Sequence, residues 1–236
     1  MRRGEGERIG VGEEVALRTL GREILVGQEP RVLEHAEEAF LGAEPGRGEQ
    51  RDEDLPPEGA EGYLFPDTYA FPLATPQERI LRSMVHRFRE VFTPELVLRA
   101  ADLGLSAHQA VTLASLVEAE TPRAEERPLV AAVFLNRLRR GMPLQSDPTV
   151  LYGREGRDRT LTRADLRRPT PFNTYTIPGL PPGPIANPGR ASLEAAVEPA
   201  PVDYLYFVAR GDGTHTFSAT LAAHNAAVAH YRRRHP

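Results

Sequence analysis

The sequence predicts an α+β fold, in which a helical domain ends in a C-terminal β-hairpin and Pro/Gly-rich loops form a cleft. Two observations predict it. Apolar residues recur at three- and four-residue spacing through much of 76–140, which is typical of helices. The segments 204–209 and 214–218 alternate on either side of the turn sequence 210–213, which predicts a hairpin. Several helices with one late hairpin favour α+β over a parallel α/β sheet.

Four helices are predicted before the hairpin and one after it. Their expected bounds are 76–92, 94–103, 107–120, 128–140 and 221–233. The third helix has the clearest signals, because Ser106 and Gln109 form a capping box at its start. Pro122 ends it, since the residue before a proline avoids helical geometry. Pro128 and Gly141 mark the start and the end of the fourth helix.

Two loop regions follow these helices. Residues 144–149 are predicted to be irregular. Eight of the twelve residues 178–189 are Pro or Gly. Such a segment has little freedom to lose on folding, so we expect it to form a stiff wall of the cleft.

Residues 1–60 differ in composition from the rest of the chain. They carry 15 acidic residues against 8 Arg, although the whole chain has a net charge of −4. Helical pieces are predicted at 15–26, running into a strand, and at 31–41. Residues 42–60 are rich in Glu, Gly and Pro and are typical of a linker. We therefore place a boundary near residue 60, with a truncated small N-terminal subdomain and an acidic linker (1–60) before the main domain (61–236).

Composition excludes several kinds of chemistry. The chain has no Cys, which removes disulfides, a thiolate nucleophile and Cys-ligated metals. All 29 basic residues are Arg, so no Lys amine can form a Schiff base. Neither half has the dense basic stripe with interleaved aromatics that nucleic-acid surfaces show. The long uncharged stretches are too short or too rich in Pro and Gly to span a membrane, and the first residues lack the apolar core of a signal peptide.

One carboxylic acid stands out on the third predicted helix. With about 100° per residue, Glu120 falls about 20° from Leu113, inside the apolar stripe between Leu113 and Leu116. Glu118 falls about 140° away, at the edge of the stripe. Apolar surroundings and the negative end of the helix dipole both raise the pKa of a carboxyl, which suits a general acid. The alternative is that Glu120 turns to solvent at a frayed helix end.

Several blocks of the sequence resemble the YceG-like endolytic lytic transglycosylases of bacterial cell walls. They occur in the order of that family and cover nearly all of 61–236. The blocks are 61–69, 114–121, 133–138, 144–153, 173–185, 204–209, 215–217 and 224–225. In this resemblance the catalytic acid of the family matches Glu120, the residue that the helical wheel also favours.

The resemblance implies a reaction. The enzyme would cleave the β-1,4 bond between N-acetylmuramic acid and N-acetylglucosamine without water. Glu120 would protonate the leaving oxygen and then take the proton of the muramoyl C6 hydroxyl, which leaves a 1,6-anhydro end. One carboxyl then serves as acid and base, so the pair of carboxylates used by ordinary glycosidases is not needed. No metal or organic cofactor is implied.

The candidate substrate-binding residues lie mostly in the matching loop blocks. They are Gln145, Asn173, Tyr175, His215, Glu118 and Asp147. Gln145, Asn173 and Tyr175 are expected to bond acetamido or hydroxyl groups, with loop bracing as the alternative. Asp147 is expected to organise its own turn, and it is the best second carboxylate for a hydrolytic variant. No metal site is expected, because His215 and the other histidines lack ligand spacing such as HExxH.

Two other functions stay open, and a third is excluded. A muramidase that uses water is the neighbouring alternative, and a non-catalytic glycan-binding or scaffold module of the wall-synthesis machinery is the alternative from another class. A pyridoxal-dependent aminodeoxychorismate lyase is excluded, because the chain has no Lys to hold the cofactor.

The resemblance also bears on partners and location. It implies peptidoglycan glycan strands as substrate, wall-synthesis proteins as partners, and the extracytoplasmic face of the bacterial membrane as location. Family members usually begin with a membrane helix and a LysM-like subdomain. We expect residues 1–60 to be a LysM-like remnant, and any membrane attachment to use a segment that this sequence does not contain.

Overall fold

The structure is a computed structural model that describes residues 60–153 and 161–234. The helical pieces expected at 15–26 and 31–41, and the small N-terminal subdomain as a whole, lie outside the described residues.

The described chain is mostly helical with one small sheet. Its elements in order are α1 (Gln77–Val91), α2 (Pro94–Asp102), α3 (Ala107–Glu120), a 3₁₀ turn (Ala124–Glu126), α4 (Arg127–Arg139), α5 (Asp147–Leu151), α6 (Arg163–Leu166), α7 (Arg190–Val197), β1 (Tyr206–Ala209), β2 (His215–Ser218) and α8 (Leu221–Arg234). The five predicted helices and the hairpin are present within one or two residues of their expected bounds. The α+β class is therefore confirmed.

Helix α3 is the centre of the fold. Its predicted capping box is present, since Ser106 Oγ accepts from Gln109 N at 3.2 Å and Gln109 Oε1 accepts from Ser106 N at 2.9 Å. The helix is buried around its whole circumference from Ala110 to Val117, not along one stripe as the helical wheel indicated. It packs against α2, α4 and α7.

Helix α7 was not predicted. It follows directly on the Pro/Gly-rich segment, and it places Leu193, Ala196 and Val197 in the core at helical spacing. Eight residues are too few for a helix that is stable by itself. Its stability therefore comes from packing of this apolar face against α3 and α4.

The prediction that 144–149 is irregular is wrong in its second half. Helix α5 begins at Asp147, and Pro148 occupies its first turn, where a missing N–H costs nothing. The short helix α6 was also not predicted, although Thr162 and Asp165 form a capping box at its start. Both helices support the loops beside the end of α3.

The hairpin closes the described chain. Strands β1 and β2 are antiparallel, with Tyr206 opposite Ser218 and Ala209 opposite His215. Helix α8 packs against both strands. Within the described residues, no helix combines the length and the apolar character that a bilayer crossing requires.

Candidate active site

Glu120 is the last residue of α3, and it is half-buried. Ser146 Oγ donates a 2.6 Å hydrogen bond to its Oε1 atom. Burial raises the pKa of Glu120 to about 7, the bond from Ser146 opposes this rise, and the negative charge of Asp147 adds to it. A carboxyl with such a pKa can give up and regain a proton near neutral pH, as an acid–base group must.

Ser146 is held by a buried set of hydroxyl groups. Its N–H donates to Thr174 Oγ1 at 2.9 Å, and its carbonyl accepts from Thr149 Oγ1 at 2.6 Å. The hydroxyls of Thr149 and Thr174 lie 2.9 Å apart. All three residues are almost fully buried. The backbone N–H and carbonyl of Ser146 are therefore both held by hydrogen bonds, and these fix the position of its hydroxyl.

Arg137 anchors the segment just before Ser146. This arginine of α4 is buried, with 8% of its surface exposed. Its guanidinium donates to the carbonyls of Leu144, Pro143 and Leu205 at 2.7–3.1 Å and to Gln145 Oε1 at 3.1 Å. One buried cation thus ties the segment before Ser146 to the start of the hairpin.

Three of the predicted substrate-binding residues lie together near Glu120. The Tyr175 hydroxyl donates a 2.6 Å hydrogen bond to Asp147 Oδ1. Burial raises the pKa of Tyr175, and Asp147 and Glu120 raise it further, so its phenol stays protonated. Gln145 is exposed and has a left-handed φ of 53°. Such backbone strain in a residue without a glycine's freedom is typical of functional sites.

Asn173 is almost fully buried beneath Tyr175. Its side-chain amide donates to the carbonyls of Arg168 at 2.7 Å and Leu166 at 3.2 Å, and its Oδ1 accepts from Tyr175 N at 3.0 Å. These bonds occupy the side chain within the protein. The geometry favours the bracing alternative for Asn173, in which it orients Tyr175.

Glu118 has several hydrogen-bond donors around it. Its Oε2 accepts from Gly189 N at 3.1 Å and from Ser192 Oγ at 2.8 Å, and its Oε1 accepts from Arg127 at 3.1 Å. Gly189 is the N-cap of α7, where a carboxylate is favourable because the helix dipole is positive there. The structure thus places Glu118 as a link between α3, α4 and α7.

His215 lies on β2 and pairs with Glu126. Its backbone N–H donates to Glu126 Oε1 at 2.9 Å, and its Nδ1 lies 2.7 Å from Glu126 Oε2. Burial raises the pKa of Glu126, but the bonds with His215 outweigh it and hold that pKa below its usual range. Thr121 Oγ1 also donates to Glu126, at 3.4 Å. Within 60–153 and 161–234, no hydrogen bond joins His215 to Glu120.

No metal ligand set accompanies these residues. In the part of the chain that the structure describes, no three His, Asp or Glu side chains come close enough to share an ion.

A groove and a smaller pocket lie in the described part of the chain, and the pocket borders the cluster formed by Glu120, Ser146, Asp147 and Tyr175. A groove of about 900 Å³ runs between Ser106, His108 and the segment 178–182, at the opposite end of α3 from Glu120. Twelve residues of helix separate the two ends, which is roughly 18 Å. A smaller pocket of about 420 Å³ has Tyr175 in its wall. The cleft expected from the sequence stays a prediction.

Sequence reasoning missed Ser146 and Arg137. Ser146 lies between Gln145 and Asp147 in one of the blocks that carry the resemblance, so its position was a usable signal. Arg137 follows Asn136 and precedes the exposed Arg139 and Arg140, so nothing in the local sequence marks it as the buried arginine. Nothing in the local sequence indicated that Thr149 and Thr174 would contact each other.

The fold and this cluster define a class: an α+β protein with a half-buried carboxyl of raised pKa at the end of a central buried helix. The comparisons with known proteins then identify the family. The chain belongs to the YceG-like family, whose model matches residues 12–230.

Relatives of known name are similar over most of this chain. An endolytic murein transglycosylase of Bacillus subtilis is 44% identical over 176 residues, which is 72% of this chain and 48% of the relative. One from Streptococcus pneumoniae strain D39 is 37% identical over 154 residues, 63% of this chain and 28% of the relative. The chain therefore spans about half or less of the curated relatives it matches.

A solved structure is also similar. It is the crystal structure of a putative yceG-like protein from Listeria monocytogenes, with a TM-score of 0.62 and 40% identity. The match covers 71% of this chain and 54% of that protein.

Proposed function

We propose that this protein is an endolytic lytic transglycosylase of peptidoglycan, a lyase that leaves 1,6-anhydro-N-acetylmuramic acid ends. The observation that carries the proposal is the half-buried carboxyl of Glu120, with its pKa near 7 and its bond from Ser146. Membership of the YceG-like family and the names of the relatives support it. Termination or trimming of nascent glycan strands follows from such a cut.

In the first step Glu120 acts as an acid. Its proton passes to the glycosidic oxygen as the bond from that oxygen to C1 of muramic acid breaks. The N-acetylglucosamine leaves with a free hydroxyl, and C1 develops oxocarbenium character. A carboxyl with a pKa near 7 retains its proton at neutral pH far better than an ordinary glutamate, whose pKa is about 4.5.

In the second step the same group acts as a base. The carboxylate of Glu120 takes the proton of the C6 hydroxyl of muramic acid, and the C6 oxygen bonds to C1. The 1,6-anhydro ring closes and Glu120 is protonated again, so the cycle needs no water and no second carboxylate. The Ser146 hydroxyl bonds the charged form and steadies it between the steps.

The neighbours of Glu120 have distinct proposed roles. Gln145 and Tyr175 bond the sugar's acetamido or hydroxyl groups, because Gln145 is exposed and Tyr175 is a protonated phenol at the cluster. Asp147 holds the Tyr175 hydroxyl and raises the pKa of Glu120. In this proposal Asn173 orients Tyr175, Glu118 links α3 to α7, and His215 pairs with Glu126, and none of the three contacts the sugar.

Family membership supports three further parts of the proposal. The protein acts on glycan strands at the extracytoplasmic face of the membrane, it works beside wall-synthesis proteins, and residues 1–60 form a partial LysM-like subdomain with a linker.

The test is product analysis of purified glycan strands by mass spectrometry. Wild-type protein should release fragments with anhydro ends from within strands, and Glu120→Gln should bind strands without cutting them. Glu125→Gln, an exposed carboxylate five residues away, is the matched control and should cut normally. Reducing ends would instead show a hydrolytic muramidase with Asp147 as second carboxylate. Binding without any cutting by the wild type would show a scaffold module.

A further inference from the structure

The small pocket beside Tyr175 has a basic rim. Its volume is about 420 Å³, and the described residues in its wall are Arg163, Leu166, Arg167, Tyr175 and Thr176. Arg163 and Arg167 are exposed and four positions apart at α6, so their side chains project on the same side of this helix. Leu166 and Tyr175 add apolar surface to the same wall.

Neither arginine of this pocket has a carboxylate partner among the described residues. The acid between them in the sequence, Asp165, is buried and turned inward, where it accepts from Thr162 N at 2.9 Å and Thr162 Oγ1 at 2.7 Å. Among the described residues, no carboxylate therefore neutralises the two guanidiniums of this pocket wall. Arginine forks bind carboxylates through paired hydrogen bonds, which a solvated lysine does less well.

The pocket and the candidate catalytic cluster share Tyr175. Its hydroxyl bonds Asp147, and the charge of Glu120 is close enough to affect its titration. Tyr175 is also part of the pocket wall. Asn173 Oδ1 accepts a 3.0 Å hydrogen bond from the backbone N–H of Tyr175 and so holds Tyr175 in place. The position of the pocket relative to the catalytic cluster is therefore fixed. A ligand group in the pocket would therefore be separated from the reacting bond by the side chain of Tyr175 alone.

We propose that this pocket binds a carboxylate of the stem peptide on the muramic acid whose bond is cut. The inference rests on the proposed function. Of the two alternating sugars, only muramic acid carries a peptide, and that peptide ends in and bears free carboxylates. Binding of the peptide beside Glu120 would set the register of the strand, so that the muramoyl C1 and not the glucosamine C1 meets the acid. The pocket would thus determine specificity for stem-bearing strands.

The first test compares two substrates and two variants. The substrates are glycan strands with their stem peptides and the same strands after an amidase has removed them. The variant Arg163→Gln/Arg167→Gln should lose about tenfold in kcat/KM on stem-bearing strands, mostly through KM, as expected for lost charge-assisted hydrogen bonds. On peptide-free strands it should match the wild type. The control Arg232→Gln/Arg233→Gln removes two exposed arginines of α8 and should change neither value.

The second test measures binding without turnover. In the Glu120→Gln background, the pocket variant should bind stem-bearing strands about tenfold more weakly and peptide-free strands unchanged. An equal loss on both substrates, or no loss on either, would overturn the pocket assignment while leaving the proposed function standing. Absence of cutting by the wild type on both substrates would instead defeat the proposed function, and the binding result would still decide whether the pocket recognises the peptide.

Discussion

The hydroxyl of Ser146 lies 2.6 Å from Oε1 of Glu120 and joins two segments that are 26 residues apart. A serine hydroxyl can donate to a carboxylate and accept from a protonated carboxyl. The contact can therefore persist in both protonation states of Glu120. This makes Ser146 the residue that orients the acid–base group through both steps of the proposed reaction.

Removal of this hydroxyl should change the pH profile as well as the rate. The bond from Ser146 lowers the pKa of Glu120, so Ser146→Ala should raise that pKa above about 7. Because the acid must be protonated, kcat/KM should fall as pH rises through the pKa, and this fall should move to higher pH in the variant. The value of kcat should drop by roughly tenfold or more, since the carboxyl loses its orientation. A pH series of initial rates measures both effects.

Asp147→Asn should shift the pH profile of kcat/KM in the opposite direction. The negative charge of Asp147 raises the pKa of Glu120, so its removal should move the fall in kcat/KM to lower pH. Shifts of the two variants in the same direction, or no shift in either, would show that Glu120 is not the group that titrates.

Replacement of the acid should stabilise the fold at high pH. The pKa of Glu120 is about 7 in the folded chain and about 4.5 when unperturbed, so the folded state binds its proton more tightly. That contribution is complete below about pH 4.5 and is lost as pH rises through about 7. Glu120→Gln carries no such charge. Relative to wild type, it should gain up to about 3 kcal/mol in free energy of unfolding between pH 5 and pH 8.

Urea unfolding of both proteins at these two pH values measures this gain. Glu125→Gln serves again as the control, because its side chain is exposed and should show no gain with pH. A Glu120→Gln protein that follows the wild type at both pH values would mean that the carboxyl is ionised at little cost in the folded chain.

Replacement of Glu118 should destabilise the fold, in contrast to replacement of Glu120. Glu118→Ala removes the acceptor of bonds from Arg127, Gly189 and Ser192 and leaves a mostly buried arginine unpaired. Loss of charged hydrogen bonds of this kind costs about 2–4 kcal/mol. Thermal unfolding should show a clearly lower Tm, whereas kcat/KM measured well below the Tm should stay within about threefold of wild type. Normal stability together with a large rise in KM would instead restore Glu118 as a substrate-binding residue.

Much of the fold was accessible from local patterns. The start and end of α3 follow from Ser106, Gln109 and Pro122, which act within one helical turn. The hairpin follows from alternation around a turn. Helix α7 was missed because its eight residues follow a long Pro/Gly segment, and its stability depends on helices more than 50 residues earlier in the chain.

The candidate site was also predictable from the sequence only in part. The helical wheel placed Glu120 among apolar residues, yet α3 is buried on every side, and both Glu118 and Glu120 are half-buried. Their difference comes from partners. Three donors bond Glu118, whereas burial against few polar groups and the approach of Asp147 raise the pKa of Glu120.

The sequence by itself determined the helices, the hairpin and the position of Glu120 at a helix end, because these depend on residues within a few positions of one another. Only the tertiary structure decided which side chains meet that carboxyl. Ser146 bonds it from a loop held by Arg137 and by the Thr149–Thr174 pair, and the charge of the neighbouring Asp147 acts on it. Contacts across 26 or more residues form when loops dock on a packed core, and no local periodicity encodes them.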